Sequence, residues 1–279
     1  MPVGFLTDEQ RRRYGHFHRA PTPEEGARYF HLDDADRNLI AAHRGDHNRL
    51  GFAVQLCTVR YLGTFLDDLS EVPPSVVLLL AQQLSIEKSD CFTEYCASRQ
   101  RWDHTGEIRR HGGYIDYSDP IKQFRLNRWL YALSWTGTDR PGVLFDRATA
   151  WLITHKVLLP GVTVLERQVA RIRSRVQERM WNSLVHGVSF EAKGRLDTLL
   201  TIPAGGHHSL LDRLRKGPFR RSALELVRDL HRIDEVRALE VDVAISSRVP
   251  PGRIQACIFR QVVSPFSARK VGHFSTAVR

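Results

Sequence analysis

Cysteine is scarce in this chain, and its spacing excludes the usual cysteine-based frameworks. The four cysteines are too few and too irregularly placed for a set of disulfides, and free thiols fit a reducing compartment. Cys91 and Cys96 lie close together without a neighbouring Cys or His pair to complete a zinc site, and His207-His208 lies in a glycine-rich stretch. We therefore expect no disulfide framework and no metal site.

Long apolar runs are absent as well. No stretch approaches the roughly 18 apolar residues of a membrane-spanning helix. The first residues, from Met1 to Leu6, lead directly to Asp8 and Glu9, unlike a signal peptide. The sequence predicts a cytoplasmic protein with no membrane partner.

The motifs of common catalytic sites are also missing. There is no Walker-type glycine loop, no GxSxG, no HExxH and no dinucleotide-binding glycine fingerprint. In a helical protein, scattered acidic residues are typical helix caps and salt-bridge partners. Such acids are Asp67, Asp68, Asp116, Asp119, Asp234 and Glu235. We expect no enzymatic activity from the chain itself and no cofactor. The enzymatic alternative, a metal-dependent nuclease, is disfavoured because the sequence offers no set of metal ligands.

Arginine is present in excess. The chain has 41 Lys and Arg against 31 Asp and Glu, a net charge of +10, and 35 of these cations are arginine. Codon usage in a GC-rich genome explains the preference for arginine over lysine as well as a polyanionic partner does. It does not explain the sign of the net charge. Because a basic surface attracts nucleic acid through counterion release and steering, double-stranded DNA is the predicted partner.

Helix signals are dense, whereas strand signals are nearly absent. Thr7 and Thr22 each begin a capping box, and Asp33 caps a helix that runs to about Arg44, where Gly45 ends it. Two short helices so close together are typical of a helix-turn-helix-like unit. The predicted fold class is all-α, with several small helix-turn-helix-like DNA-binding domains in tandem. The predicted domains are 1–70, 71–158 and 159–256, followed by an irregular basic tail at 257–279.

Two segments carry the clearest helical periodicity. Residues 46–62 are apolar on two faces, which predicts a buried helix at the centre of the first domain. In 162–182 five apolar residues share one face, and arginines recur at every fourth position from a start opposite that face. Further helices are predicted from Pro73 and at 91–98, 100–111, 119–135, 141–155 and 222–241.

Three basic clusters are the candidate DNA contacts. The first cluster lies at the start of a helix, where free amide groups and the helix dipole favour the binding of phosphate. A capped, solvated helix start without a ligand would show the same pattern. The second mixes arginine, histidine and an aromatic residue beside a glycine turn, although its tryptophan would equally suit the core. The third is the arginine stripe of 162–182, although exposed helix faces also carry arginine. The predicted contacts are Arg44, His47, Asn48 and Arg49 in the first cluster, Arg99, Arg101, Trp102, His104, Arg109 and Arg110 in the second, Arg167, Arg171, Arg173 and Arg175 in the stripe, and Arg125 and Arg128 in the 119–135 helix.

An acidic run argues against conventional docking of the 33–44 helix. Asp33, Asp34 and Asp36 occupy its first turn, which would otherwise enter the major groove, and carboxylates repel phosphate. Either Arg37 and Arg44 turn the far side of this helix toward DNA, or the unit is structural and a neighbouring helix makes the contacts.

An ordered set of segments resembles the amino-terminal region of Tn-three family replicative transposases. The resemblance covers roughly residues 4–256. Its segments are Phe5-Leu6-Thr7-Asp8-Glu9-Gln10, Pro23-Glu24-Glu25 with Arg28-Tyr29-Phe30, His43 to Phe52, Thr64-Phe65-Leu66, Tyr114 to Asp119, Phe124-Arg125-Leu126, Leu158 to Thr163 with Leu165-Glu166-Arg167, and Leu211-Asp212-Arg213-Leu214.

The resemblance implies helical domains that recognise the terminal inverted repeats of a transposon. In that family an Asp-Asp-Glu triad with divalent metal performs the chemistry several hundred residues further on, beyond the end of this chain. The last stretch, from Cys257 to Arg279, departs from the family pattern, which fits a frameshift or truncation or else a specialised tail. The leading hypothesis is a non-catalytic fragment that binds transposon ends, with intact transposase or a second copy as a further partner. The alternative is a protein-interaction or decayed fragment without specific DNA binding.

Overall fold

The computed structural model describes residues 4–215, 222–240 and 252. In this part of the chain there are thirteen α-helices and no β-strand, which confirms the predicted all-α class, and an isolated parallel bridge joins Ile115 and Val157. The predicted tail at 257–279 lies outside the described residues. The helices are α1 (Asp8–Arg13), α2 (Pro23–Tyr29), α3 (Asp34–Ala41), α4 (Asp46–Leu62), α5 (Pro74–Gln83), α6 (Cys91–Ala97), α7 (Gln100–Gly112), α8 (Pro120–Thr136), α9 (Pro141–Thr154), α10 (Val162–His186), α11 (Phe190–Thr198), α12 (Leu210–Arg215) and α13 (Ala223–Arg237).

The first three helices begin at the caps that the sequence predicts, and the predicted cap at Asp33 proves to be a capping box like those at Thr7 and Thr22. The side chains of Thr7, Thr22 and Asp33 each accept a hydrogen bond from the backbone amide three residues later, and the residue there caps in return. These exchanges satisfy amide groups that have no partner inside a helix. The third helix ends at Ala41, three residues earlier than predicted, so Arg44 lies in the turn that precedes α4.

Helix α4 is the buried centre of the fold, as its two apolar faces predict. It packs against α2, α3, α5, α6 and α7. The approach of α6 is close, because a Cβ atom added at Gly51 would lie 2.1 Å from the ring of Tyr95. At its end Gly63 adopts the left-handed conformation, with φ of 78°, that glycine tolerates best.

Two compact units make up the chain. The first comprises Met1–Ala132 and Asp139–Arg173, and the second comprises Leu133–Thr138 and Ser174–Arg279. The main buried core of the first unit draws residues from both sides of position 70, from Phe30 to Ile108. The division at 70/71 and 158/159 stays a prediction.

Hydrogen bonds to one buried carboxylate, that of Glu166, connect the amino-terminal segment to α10. The Glu166 carboxylate, 1% exposed, accepts hydrogen bonds from the backbone amides of Phe5 and Leu6. It also accepts from the Arg11 guanidinium of α1. A buried carboxylate needs such partners, because an uncompensated charge in the interior is costly.

No helix within the described ranges has the length and apolar character to cross a bilayer. Nor do those ranges bring three His, Cys, Asp or Glu residues together as a metal site.

Candidate nucleic-acid interface

In the first basic cluster the structure separates exposed residues from structural ones. Arg44 is exposed, and His47 is half-buried within 4.0 Å of Glu94. The Arg49 guanidinium forms an ion pair with Asp46 one turn earlier. Asn48 is buried and its amide donates to the Arg44 carbonyl, so this side chain serves the turn instead of a ligand. Of the four predicted contacts, Arg44 alone combines an exposed side chain with no ion pair in the described structure.

His104 belongs to the core. It is 6% exposed, and its Nδ1 atom lies 2.9 Å from the Tyr95 hydroxyl, with His43 and Phe52 packed against its ring. Burial, followed by the neighbouring His43, lowers its pKa to about 4. His104 is therefore buried away from any DNA surface in this structure, because it shares with Ile108, four residues later, the side of α7 that packs against α4 and α6.

The remainder of the second cluster lies on the outside of α7. Trp102 is 56% exposed, and the Arg101 guanidinium lies 4.6 Å from the centre of its ring. Arg99 and Arg110 are exposed, whereas Arg109 forms an ion pair of 3.3 Å with Asp116. A guanidinium stacked on an exposed indole is a surface that can contact sugars and bases as well as phosphates.

One hydrogen bond connects α8 with the first half of α10, and both segments carry predicted contacts. The Gln168 amide nitrogen of α10 donates to the Asn127 side-chain oxygen of α8 over 2.5 Å. Both residues are half-buried and lie between the buried and exposed sides of their helices. The hydrogen bond therefore places the exposed side of α8 beside the exposed side of α10.

This pair of exposed sides, which we name the α8/α10 face, carries four arginines. Arg125, Arg128, Arg167 and Arg171 are all exposed, and none has an ion pair in the described structure. Burial raises the pKa of Tyr117, and the charge of the Arg171 guanidinium opposes that shift. The face is thus a patch of uncompensated guanidinium groups.

Acidic residues are missing from the helix segments that form this face. Residues 120–136 contain no Asp or Glu, and residues 162–175 contain only Glu166. Since Glu166 is buried and occupied by Arg11 and two backbone amides, it does not offset the arginines. Within these two segments of the described structure, no exposed carboxylate offsets the arginines.

Along α10 the predicted amphipathic pattern is confirmed. Its five apolar residues, Leu165, Val169, Ile172, Val176 and Met180, are buried. Arg175 is exposed and belongs to the second unit, whereas Arg173 is half-buried and has an interaction of its own. Arg173 is therefore not part of the exposed stripe, because it lies four residues after the buried Val169 and three before the buried Val176, at the edge of the apolar side.

Two exposed apolar residues of the α8/α10 face were not predicted as contacts. Phe124 is 64% exposed and Ile121 is 62% exposed. With Arg125 and Arg128 they follow the i, i+3, i+4, i+7 spacing of one helix side. A sequence signal did exist, since Leu126 and Leu130 form a separate buried side that leaves Phe124 outside the core.

Comparison with known proteins places this chain among mobile-element proteins. Residues 5–172 match the family described as domain of unknown function DUF4158. The chain is 43% identical over 242 residues to the transposase for transposon gamma-delta of Escherichia coli (strain K12), covering 86% of the chain and 24% of that protein. It is 30% identical to the transposase for transposon Tn501 of Pseudomonas aeruginosa, covering 81% of the chain and 23% of the relative. A third relative is the transposase for transposon Tn1546 of Enterococcus faecium, 25% identical over 89% of the chain and 25% of that protein. The chain spans about a quarter of the length of these relatives.

Proposed function

Because this chain belongs to the DUF4158 family and is homologous to Tn-three family transposases, we propose that it binds the terminal inverted repeats of a transposon in replicative DNA transposition. The ligand is double-stranded DNA, and the binding is sequence-specific. The chain itself performs no bond cleavage in this proposal. The reaction would belong to parts of the family's proteins outside the stretch matched here.

The observation that carries the proposal is the α8/α10 face. Four exposed arginines without carboxylate partners lie on two adjoining helices of one compact unit. Planar guanidinium groups match phosphate oxygens in a bidentate geometry, and their charge is not neutralised within the described fold. A duplex backbone offers the phosphate rows that such a patch fits.

The remaining predicted contacts take a second role in the proposal. Arg44, Arg99, Arg101, Trp102 and Arg110 are accessible, and Arg101 with Trp102 combines a guanidinium with an exposed aromatic ring. We assign base and sugar contacts to these residues and phosphate contacts to the α8/α10 face. Arg49 and Arg109 are assigned to internal ion pairs, since each already has an aspartate partner.

The test is a titration of the purified chain against its own element's inverted-repeat duplex and a scrambled duplex at two salt concentrations. Phosphate contacts release counterions, so affinity for both duplexes should fall steeply with salt. The repeat should remain preferred at the higher salt, because base contacts do not depend on counterion release. Equal binding to both duplexes would overturn the sequence-specific part, and salt-independent binding would overturn the phosphate contacts.

A second candidate function, contact with another protein, has its own observation in the second unit. Helix α13 buries no residue in the described structure, yet Leu226, Leu230 and Ile233 form an apolar stripe along one side and are 47–61% exposed. Such a stripe is typical of helix pairing. Under this candidate the chain associates with intact transposase or with a second copy. A Leu230→Lys change would then shift the mass of the free chain in light scattering toward the monomer, whereas DNA affinity would remain unchanged.

A further inference from the structure

Phe124 and Ile121 are exposed where the proposed DNA contacts are densest. They lie one turn apart on α8, and no element of the first unit covers them in the described structure. Leaving two large apolar side chains in water has a free-energy cost that burial in a complex removes. Their position therefore favours a ligand that offers an apolar slot.

The charges around the pair define that ligand. Arg125 and Arg128 lie on the same side of α8, and the Asn127–Gln168 hydrogen bond brings Arg167 and Arg171 of α10 alongside. A protein groove that buried this pair would leave four guanidinium groups unpaired unless it was strongly acidic. A duplex meets both requirements together, since a side chain inserted through the minor groove, about 6 Å wide, packs against the apolar faces of unstacked bases, while phosphates line both edges of the groove.

Resting on the proposed function, we propose that Phe124, backed by Ile121, is an apolar wedge that enters the minor groove and bends the bound DNA. Side chains of this kind separate neighbouring base pairs and kink a duplex by roughly 20–90°. The arginines of the α8/α10 face hold the phosphates on either side of the kink. The bend in turn brings more of the backbone against the same face.

The wedge adds specificity without any base-edge hydrogen bond. Pyrimidine–purine steps unstack most easily, so the cost of inserting Phe124 depends on the sequence at that step. A repeat with a flexible step opposite α8 would therefore be favoured over one with a stiff A-tract there.

The experiment measures DNA bending by energy transfer between dyes at the two ends of the inverted-repeat duplex. It compares the wild-type chain with Phe124→Ala, Phe124→Leu and a control, Leu78→Ala, which removes a half-exposed apolar side chain from α5. Wild type, Phe124→Leu and Leu78→Ala should shorten the distance between the dyes. Phe124→Ala should return this distance toward the value of free DNA. Its affinity for the repeat should stay within roughly tenfold of the wild-type affinity, because the variant loses the contact with the bases but no longer has to unstack them.

The outcomes separate the wedge from the proposed function. If wild type binds the repeat without bending it, or if Phe124→Ala bends it fully, the wedge is wrong and repeat binding stands. If wild type shows no binding to the repeat, the proposed function fails first. If Phe124→Ala changes the mass of the free chain and leaves the bend unchanged, the apolar pair belongs to a protein contact, which also overturns the wedge. Helix content by circular dichroism confirms that each variant is folded.

Discussion

The Arg11 guanidinium donates to both carboxylate oxygens of Glu166, at 3.0 and 2.9 Å, although 155 residues separate the two along the chain. This ion pair and the amides of Phe5 and Leu6 fix the amino-terminal segment against α10. The helix that presents Arg167 and Arg171 is therefore held in place by the first residues of the chain.

Loss of Arg11 should destabilise the first unit. Arg11→Ala leaves the buried Glu166 carboxylate without its cation, which costs about 3 kcal/mol in the free energy of unfolding. The matched control is Arg13→Ala, since the Arg13 partner Glu9 is 75% exposed. That control should cost less than about 1 kcal/mol. Urea denaturation of the two variants measures the difference, and equal losses would show that the buried pair contributes no more than a surface pair.

Stability should also fall with acid because of His104. Its pKa is lowered from 6.5 to about 4 in the folded chain. Between pH 6.5 and pH 4 this histidine is therefore protonated in the unfolded chain but neutral in the folded chain. Its contribution is complete above pH 6.5 and decreases as the pH falls toward 4, by at most about 3 kcal/mol. Urea unfolding at pH 7 and pH 5 should show the loss, and His104→Gln should reduce the difference between the two pH values. An unchanged difference in His104→Gln would assign the pH dependence to other groups.

Two glycine substitutions should change stability in opposite directions. Gly51→Ala places a Cβ 2.1 Å from the Tyr95 ring, and this overpacking should cost about 2 kcal/mol or more. Gly106→Ala in α7 meets nothing within 4 Å and should stabilise the chain by about 1 kcal/mol, because alanine favours helix. Thermal unfolding measures both. A neutral Gly51→Ala would contradict the close packing of α4 on α6.

Alanine substitutions on the α8/α10 face should weaken DNA binding without changing its sequence preference. Arg128→Ala and Arg171→Ala each remove one proposed phosphate contact, so each should reduce the slope of log affinity against log salt by about 1. Arg147→Ala is the control, since its guanidinium is engaged with Asp139 at 3.0 Å. Titrations at several salt concentrations test this. Unchanged slopes in both face variants would remove the face from the interface.

Local sequence signals predicted most of the helices. A capping box such as Thr22 with Glu25 is complete within four residues, and the apolar stripe of α10 repeats over many turns. Both depend on short-range geometry, so the sequence determines them without knowledge of the partners. The early end of α3 at Ala41 shows the usual limit, since helix ends depend on neighbouring contacts.

The candidate site was harder to predict, because exposure and pairing depend on distant segments. Asn48 and His104 lie among basic residues in the sequence, yet packing of α4, α6 and α7 buries them. Glu166 appears as one acid in an arginine-rich helix, and its partners lie some 160 residues away. Phe124 lies in a segment that carries the family resemblance, and the one sequence signal for its exposure is that Leu126 and Leu130 form a different side of α8.

The joint between the two basic helices is made by uncharged amides. Neither Asn127 nor Gln168 titrates, and salt does not screen a contact between neutral groups as it screens charged pairs. This contact between α8 and α10 should therefore persist across the ionic strengths and pH values of a binding experiment. In a salt titration of this chain, the contact between the two helices then stays the same while ions are released from the DNA.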